Sequence, residues 1–532
     1  MERYRLSFVF LVALIFSGSL FAVSELRMAL HSSPRTLDPA RADDDASSVV
    51  RYLTGGVLIG FNRQAQTLTP ELAVSWQILE GGRAIRFRLR KGVKFSDGSP
   101  FGPEDVAYTM RRLLDPSVES AIADQFRGAP GMPVLRTSAD TVEIRFSAPL
   151  TGLEKMFDEV SILSSQAKSA EGPVLGPFVL KENRPGDYLL LQRNPSYWRY
   201  REGPARGPDT VRLVIQKDRE VELSRFLKGD LDLINNVDPE NYDRILRAQA
   251  KSAIDAGPSL DSDFMWFNQS AKSPIPAYER EWFASKAFRN AVSEAINRDD
   301  MVRIAFLGHA QPAGGAVSPG NKFWFNSALP ARHYDAQAAI ALLRQNGFHL
   351  ADGKLTDSGG HPVRFSIITN AGNKSREKMA LLIQQDLLKI GIEVKVVTLD
   401  FPSLLERMTR SYDYEACILG FTNVEVDPMA QMNVWISSSA NHAWNPEQKS
   451  PATTWEAEVD DLMHRQSAAV DPAVRKRLFD RVQQIVADQE PFIYLVNKHS
   501  LSAVSSAIHN PKPARIWPQT FWNAWELQVA GQ

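Results

Sequence analysis

The chain has 532 residues, with 61 Lys and Arg against 62 Asp and Glu, which gives a formal net charge of −1 at neutral pH. A charge this close to zero gives no overall basic field, which argues against binding to nucleic acid or to an anionic membrane surface. The length exceeds what one hydrophobic core usually supports, so we expect two or three subdomains. The lone cysteine, Cys417, excludes an intramolecular disulfide, and its place in an apolar segment predicts a buried side chain.

Residues 1–22 have the pattern of a secretory signal. Two arginines precede an apolar run from Phe8 to Phe16, and small residues follow. The run is about half of the roughly 20 residues needed to span a bilayer, so cleavage is favoured over retention as an anchor. Cleavage after Ser19 and after Ala22 both fit, and no cysteine lies near the junction to carry a lipid. We expect an exported and soluble mature protein.

The N-terminal third of the chain predicts a sheet with one solvent-exposed face. Ile85, Phe87 and Leu89 alternate with arginines, which is the period of a half-buried strand. A turn and a helix follow, because Pro103 and two acidic residues mark a helix start. Further strands are predicted at 27–30, 175–180, 187–192 and 211–215.

Strands and helices alternate in the second half, which is typical of an α/β sheet with mostly parallel pairing and right-handed crossovers. Gly391 follows an apolar helical stripe and fits a left-handed C-terminal cap. Strands are predicted at 363–367, 392–396, 414–421 and 492–496, and helices at 335–347, 379–390, 404–408 and from Asp471 onward.

A polar loop follows the predicted strand at 414–421 and ends at Pro428. In α/β sheets, ligands bind in the crevice beyond the carboxyl ends of the strands. We therefore expect a binding site at this loop.

Five segments resemble the signature segments of the oligopeptide- and dipeptide-binding proteins of ABC importers, solute-binding protein family 5. These are LDPA (37–40), LTPELAVSW (68–76), LRKGVKFSDGSPFGPEDVAYTMRR (89–112), LLLQRNPSYW (189–198) and AFRNAVSEAINRDDMV (287–302). The similarity runs from about residue 25 to the C-terminus.

The resemblance implies an α/β fold built as a two-lobed, hinged clamshell of the type II periplasmic binding protein kind, with an extra subdomain on one lobe. By analogy, lobe I comprises 23–55, 171–257 and 501–532, the subdomain 56–170, and lobe II 258–500. The protein would act as a periplasmic monomer without a cofactor. It would enclose a peptide or another small-molecule ligand between its lobes and deliver it to the membrane permease of an ABC importer.

The resemblance also places ligand contacts on the loop, at Phe421, Thr422, Asn423, Val424 and Glu425. In peptide binders of this family an Asp pairs with the α-ammonium of the peptide, and aligning on the following proline puts Val424 at that position. The chain departs from the family here, since Asn423 or Glu425 could replace the Asp only if the loop shifts by one residue. A modified peptide, an oligosaccharide or another polar solute is therefore an alternative ligand.

Five further residues are candidate ligand contacts. Phe401 matches a pocket Trp of the family, and Asp45 follows the LDPA segment, which faces the cleft in such proteins. Trp435 and Trp444 could form a stacking wall, and Asn268 lies near a predicted crossing between the lobes. Each also has a structural alternative, as a core residue, a surface-loop residue or a structural hydrogen-bond donor.

Catalytic and metal-binding motifs do not emerge from the sequence. It contains no HExxH, no GxSxG, no phosphate-binding glycine loop and no cysteine or histidine cluster at metal spacing. The acidic runs 43–45 and 458–461 fit helix caps or solvated faces. A two-carboxylate hydrolase remains an alternative, and it would need two facing acids, one with a raised pKa. A ligand-loaded sensor that docks on a membrane receptor would use the same fold.

Overall fold

The computed structural model describes residues 24–126, 128–169, 171–203, 207–329, 332–422, 424 and 426–530. The predicted signal segment at 1–22, together with Asn423 and Glu425, lies outside these residues.

The chain alternates strands and helices along most of its described length. The strands are β1 (Glu25–Leu30), β2 (Ile59–Asn62), β3 (Thr67–Pro70), β4 (Ala73–Leu79), β5 (Ala84–Leu89), β6 (Val134–Thr137), β7 (Thr141–Arg145), β8 (Phe178–Arg184), β9 (Tyr188–Arg193), β10 (Thr210–Ile215), β11 (Leu233–Ile234), β12 (Ala253–Pro258), β13 (Ser262–Phe267), β14 (Ala310–Pro312), β15 (His349–Ala351), β16 (Lys354–Thr356), β17 (Arg364–Asn370), β18 (Glu393–Leu399), β19 (Ala416–Phe421), β20 (Ile493–Val504), β21 (Ile508–His509) and β22 (Gln528–Val529). The helices are α1 (Asp45–Thr54), α2 (Pro103–Leu113), α3 (Leu153–Met156), α4 (Arg199–Glu202), α5 (Arg219–Lys228), α6 (Pro239–Ala248), α7 (Ala277–Ala284), α8 (Lys286–Ala295), α9 (Arg298–Ala305), α10 (Ala336–Gln345), α11 (Lys374–Leu388), α12 (Phe401–Glu406), α13 (Met432–Trp435), α14 (Thr454–Ala468) and α15 (Pro472–Gln489).

One continuous sheet runs through both halves of the molecule, in the order β18-β17-β19-β13-β20-β11-β1-β10-β9-β8. Strand β20 joins the halves, because its first part pairs with β13 and β14 and its last part with β11 and β12. We call the half that contains β1 and β8–β11 lobe I, and the half that contains β13 and β17–β19 lobe II. A separate sheet, β4-β5-β7-β6, packs with α2 on a core that includes residues from Leu58 to Ile162, and we call this unit, which includes the β2–β3 hairpin and α3, the subdomain.

Apolar side chains form separate cores in these units. In lobe II, two clusters include Ile367 on one face of the sheet and Ile368 on the other, as the period of two along β17 requires. The core of the subdomain includes Phe87 and Met110, whereas Leu213 belongs to a core of lobe I. Each unit therefore buries its own apolar face, as expected of subdomains that keep their structure when they move.

Most sequence-predicted elements are confirmed, with corrections at several ends. Cys417 is buried, and Gly391 has the predicted left-handed backbone, with a φ of 82°. The strand predicted at 492–496 continues to Val504, because its polar second half forms the junction between the lobes. The strand predicted at 175–180 begins only at Phe178, and the helix predicted at 404–408 is shifted to α12.

Strand direction in lobe II matches the prediction only in part. Strand β17 pairs in parallel with β18 and β19. Strand β13 enters the sheet antiparallel to both β19 and β20, which makes the sheet mixed. This pairing joins segments more than 100 residues apart, so local alternation does not encode it.

A buried ion pair holds the carboxyl end of β19, where the polar loop begins. Arg376 of α11 donates from Nε to Asp263 Oδ1 at 2.7 Å and from Nη1 to Asn370 at 3.0 Å. Gly420 lies beside this pair, and a Cβ added there would stand 2.4 Å from Asp263 Oδ1. The arginine thus links three neighbouring strands just before the loop.

A second buried carboxylate holds the segment after α13. Glu456 accepts hydrogen bonds from His442, Trp444, Gln448 and Thr453. Burial alone would raise the pKa of Glu456, but these donors stabilise the ionised form and lower the pKa to about 2. The ionised carboxylate is therefore a structural element of lobe II.

We expect D263A to destabilise lobe II by about 3–5 kcal/mol, because it leaves the buried guanidinium of Arg376 without its carboxylate. Urea unfolding followed by tryptophan fluorescence measures the difference. D461A is the matched control, since Asp461 and Arg465 form an exposed pair with side chains 61% accessible, whose loss should cost under about 1 kcal/mol. Equal effects of the two substitutions would contradict this role.

We expect the stability of lobe II to fall between about pH 4.3, the ordinary pKa of a glutamate, and pH 2. A carboxylate with a depressed folded-state pKa contributes stability above its unfolded pKa, and this contribution is lost as the pH falls through the folded value. The part due to Glu456 is roughly 3 kcal/mol, so E456Q should flatten the melting temperature profile over this range. E458Q, which alters an exposed acid of the same helix paired with Arg481, should leave the profile unchanged.

Candidate functional site

A cavity of about 330 Å³ lies where lobe I, the subdomain and the loop after β19 meet. We call it the outer cavity. Lobe I contributes the start of α1 and residues 515–519, and the subdomain contributes Gln125, Lys155 and Glu159. The crossing segment after β12 contributes residues 259–261. The sequence-predicted residues Asp45 and Val424 both line this cavity.

Charged side chains of both signs line the outer cavity. The acids are Asp43, Asp44, Asp45, Glu159 and Asp261, and the bases are Arg51, Arg63, Lys155 and Arg515. Several of these charges are already used within the protein. Asp44 caps α1, and Asp43 and Asp44 both pair with Arg35. Asp45 is exposed, and it forms no hydrogen bond or ion pair with the described residues.

A second cavity of about 340 Å³ adjoins the first, between lobe I and the subdomain, and we call it the inner cavity. The two cavities share Arg51, Arg63, Glu159 and Trp517 among their lining residues. The wall of the inner cavity also carries Glu71 and Arg199, which form an ion pair. Burial raises the pKa of Glu71 despite this arginine, and it raises the pKa of the inner-wall residue Tyr52 to about 12. The inner cavity is thus a poorly solvated but polar space.

The loop after β19 is fixed at both ends. The Val424 N–H donates to Asp261 Oδ1 at 3.4 Å, and the Val426 carbonyl accepts from Asn321 at 2.8 Å. Asp427 forms a bidentate ion pair with Arg475, whose Nη1 donates to Oδ2 at 2.8 Å and whose Nη2 donates to Oδ1 at 2.7 Å. These bonds hold the loop against the outer cavity.

The predicted loop residues differ in their surroundings. The Phe421 ring packs on Phe264, with 4.8 Å between centroids, so it belongs partly to the lobe II core. Thr422 is exposed. Val424 packs on a small apolar cluster of Phe61, Leu260 and Ile516, which brings the subdomain, the crossing segment and lobe I together.

Four other predicted site residues do not line either cavity in the described part of the chain. Phe401 is 52% exposed at the start of α12. Trp435 and Trp444 are only 1% exposed, because they pack inside lobe II. Asn268 is fully buried and donates to the carbonyl oxygens of Tyr412 and Tyr414 at 2.9 and 2.8 Å. Trp435, Trp444 and Asn268 thus have the core or hydrogen-bonding roles given above as alternatives, whereas Phe401 is exposed and does not pack in the lobe core.

Sequence reasoning missed the cationic residues of the site. Arg51 and Arg515 come from distant parts of the chain and meet only through folding. One local signal was available, because Arg51 interrupts an apolar run between Val50 and Leu53. A charged residue that is buried within such a run needs polar partners nearby.

Lobe II and the subdomain touch directly at the turn between β2 and β3. Gln66, just after β2, donates from Nε2 to the Gly320 carbonyl at 2.7 Å and accepts from the Lys322 N–H at 3.1 Å. Lys322 Nζ donates to the Gln64 carbonyl at 3.0 Å. Lobe II is therefore in direct contact with the subdomain.

The two acidic runs noted in the sequence serve as caps and ion pairs. Glu458 pairs with Arg481, and Asp460 accepts from Ser437. One facing pair of acids does exist elsewhere, since burial and the neighbouring Glu415 raise the pKa of Glu279 to about 7. Glu279 lies on α7 and lines neither cavity. Over the described ranges, no cluster of three or more His, Cys, Asp or Glu side chains is arranged to hold a metal ion.

Among the helices that the structure describes, none has the length and apolar character needed to cross a membrane.

Several curated proteins are similar to this chain over most of its length. A probable ABC transporter-binding protein of Deinococcus radiodurans is 26% identical over 87% of this chain and 84% of its own. The dipeptide-binding protein of Escherichia coli is 24% identical, with 85% and 84% covered. The oligopeptide-binding protein AppA of Bacillus subtilis is 24% identical, with 88% and 85% covered.

Solved structures share the fold. The substrate-binding protein CtaP of Listeria monocytogenes superposes with a TM-score of 0.79 at 19% identity, covering 96% of this chain and 100% of its own. NikA of Brucella suis, solved with Fe(III)-EDTA, gives 0.80 at 19% identity, covering 95% and 99%. AppA of Bacillus subtilis, solved with a nonapeptide, gives 0.69 at 22% identity, again covering 95% and 99%.

These likenesses establish the two-lobed clamshell fold that the signature segments predicted. Residues 67–443 match the family described as bacterial extracellular solute-binding proteins, family 5 Middle, which is well over half of the chain. The chain belongs to the family 5 extracellular solute-binding proteins.

Proposed function

We propose that this protein captures a peptide or peptide-like solute between its lobes and delivers it to the membrane permease of an ABC importer. The carrying observation is the outer cavity, which is formed by lobe I, the subdomain, the crossing segment and the loop after β19 and is lined by charges of both signs. Such a cavity suits a polar solute that carries its own charges. Relatives named as dipeptide- and oligopeptide-binding proteins support the peptide class.

In this proposal, residues 1–22 direct export to the periplasm, and the mature protein acts as a monomer. Lobe I consists of 23–55, 171–257 and 501–532, with the subdomain at 56–170 and lobe II at 258–500. The separate apolar cores support this division. A solute that touches both lobes would stabilise the closed arrangement, and this selection of the closed state provides the signal for the permease.

The solute contacts that we propose are Asp45 and the loop from Phe421 to Glu425. Asp45 brings an exposed carboxylate to the cavity, whereas Val424 presents an apolar side chain where relatives carry an acid. A peptide amine would therefore be bound by lobe I or by Glu425.

A non-peptide polar solute is the second candidate. The apolar surroundings of Val424 favour it, because a buried ammonium facing a valine would lack a counter-ion. The complex of NikA with Fe(III)-EDTA shows that this fold accepts such solutes. A sensor role would use the same cavity with a different membrane partner. Hydrolysis is not favoured, because Glu279, whose pKa is raised by burial and by a facing acid, lies on α7 and lines neither cavity. Glu71 also has a raised pKa and lines the inner cavity, but it is paired with Arg199.

We expect solute to bind stoichiometrically and to raise the melting temperature. A ligand that binds only the folded state stabilises it by about 2.7 kcal/mol at a concentration 100 times its Kd. Native mass spectrometry of the purified protein should reveal the co-purifying molecule, which is then added back to unfolded and refolded protein in thermal melts. Sustained chemical conversion of that molecule would contradict a pure binding function.

We expect Q66A to weaken solute binding by roughly 5- to 30-fold. The substitution removes two hydrogen bonds between the subdomain and lobe II, worth about 1–2 kcal/mol in total. It should also give a larger radius of gyration in solution scattering. Q64A is the matched control. The Gln64 side chain lies in the same turn but donates to the Pro513 carbonyl of lobe I, so its loss leaves the side-chain contacts with lobe II intact. Equal affinities and scattering profiles for both variants would count against closure through these contacts.

A further inference from the structure

Arg51 lies in the last turn of α1. Its side chain lines both the outer and the inner cavity, so it stands at their junction. The residue is only 9% exposed to solvent. A guanidinium in such a place needs partners, because a buried charge is costly when it is not compensated.

The protein itself supplies few partners. Arg51 Nη1 donates to the backbone carbonyl of Glu159 at 2.9 Å, and no carboxylate of the described residues forms an ion pair with Arg51. The nearby Asp158 already pairs with Arg63 at 2.8 Å. Burial lowers the pKa of Arg51 more than the attraction of Glu159 and Asp158 raises it. Among the described residues, this guanidinium therefore donates one hydrogen bond, to a backbone carbonyl, and none to a carboxylate.

A second cation lines the same outer cavity. Arg515 donates from Nε to the Ala256 carbonyl at 2.7 Å, and it has no ion pair with the residues that the structure describes. Gly257 leaves room for this guanidinium, since an added Cβ would stand 3.3 Å from Nη2. Two arginines without carboxylate partners thus line one cavity.

We propose that Arg51 binds a carboxylate of the solute at the junction of the two cavities, with Arg515 as a second cation nearer the cleft. A planar guanidinium donates two parallel hydrogen bonds to a carboxylate, and the opposite charges strengthen both bonds. A neutral amide has one oxygen and no charge, so it cannot accept this pair of bonds. The preferred solutes are then acidic peptide-type molecules that reach past the outer cavity. This inference rests on the proposed function and specifies its solute class.

The test uses pairs of peptides that differ by one acid group. Trialanine is compared with its C-terminal amide, and Ala-Glu-Ala with Ala-Gln-Ala, by calorimetry on the full mature protein. Wild type should prefer the acid member of at least one pair by about tenfold, and R51Q should remove that preference while leaving the affinity for the amide nearly unchanged.

R289Q is the matched control for loss of a buried arginine. Arg289 also donates to backbone carbonyls, those of Phe283 and Gln489, and it is 2% exposed in lobe II away from both cavities. It should lower the melting temperature without changing the acid preference. If R51Q does not fold, R51K provides the test. It keeps the positive charge but loses the planar guanidinium, so the acid peptide should lose affinity and the amide should not.

The outcomes separate the inference from the proposed function. Peptide binding without acid preference, a preference that survives in R51Q, or an equal loss of acid and amide affinity in R51K would overturn the role of Arg51 and leave peptide binding intact. Failure of wild type to bind any of the four peptides, or longer homologues of them, would overturn the peptide class and this inference with it.

Discussion

The pairing of β20 is the constraint on which the rest of the structure depends. This single strand satisfies the backbone hydrogen bonds of β13 and β14 in lobe II, and then those of β11 and β12 in lobe I. Cutting either set of bonds would leave buried peptide groups unpaired, which is costly. This strand therefore ties the two lobes together. The outer cavity lies close by, because residues 259–261 follow directly on β12, a pairing partner of β20.

The charges of the cleft follow from this arrangement. Residues from the start of α1, from the subdomain and from the C-terminal segment are brought to one cavity. Several of them already pair with neighbouring residues, as Asp43 does with Arg35 and Arg63 with Asp158. Asp45, Arg51 and Arg515 form no ion pairs among the described residues. Their charges are therefore the ones that a solute can pair with. The family pattern predicts an acid at the position of Val424, whereas Asp45, Arg51 and Arg515 bring their charges to the cavity from lobe I.

Much of the fold could be predicted from the sequence, because local rules determine it. Pro103 begins α2, Asp335 caps α10, and the alternation at 85–89 lies inside β5. The antiparallel insertion of β13 and the full length of β20 could not be predicted, since they depend on pairing between distant segments. For the candidate site, the family pattern pointed to Asp45 and Val424, which do line the cavity. The predicted stacking wall of Trp435 and Trp444 is not at the cavities. These large apolar side chains pack in the lobe II core, which the sequence pattern could not distinguish from a pocket wall.

The burial of Cys417 has a practical consequence for observing the lobes. It is the only cysteine in the sequence, it is fully buried, and burial raises its pKa well above the ordinary value, so its thiolate is scarce at neutral pH. The wild-type background is therefore almost unreactive toward maleimide dyes without any prior replacement. Two cysteines introduced on exposed positions, one in each lobe, would carry a donor and an acceptor fluorophore, and single-molecule energy transfer would then report the distance between the lobes directly.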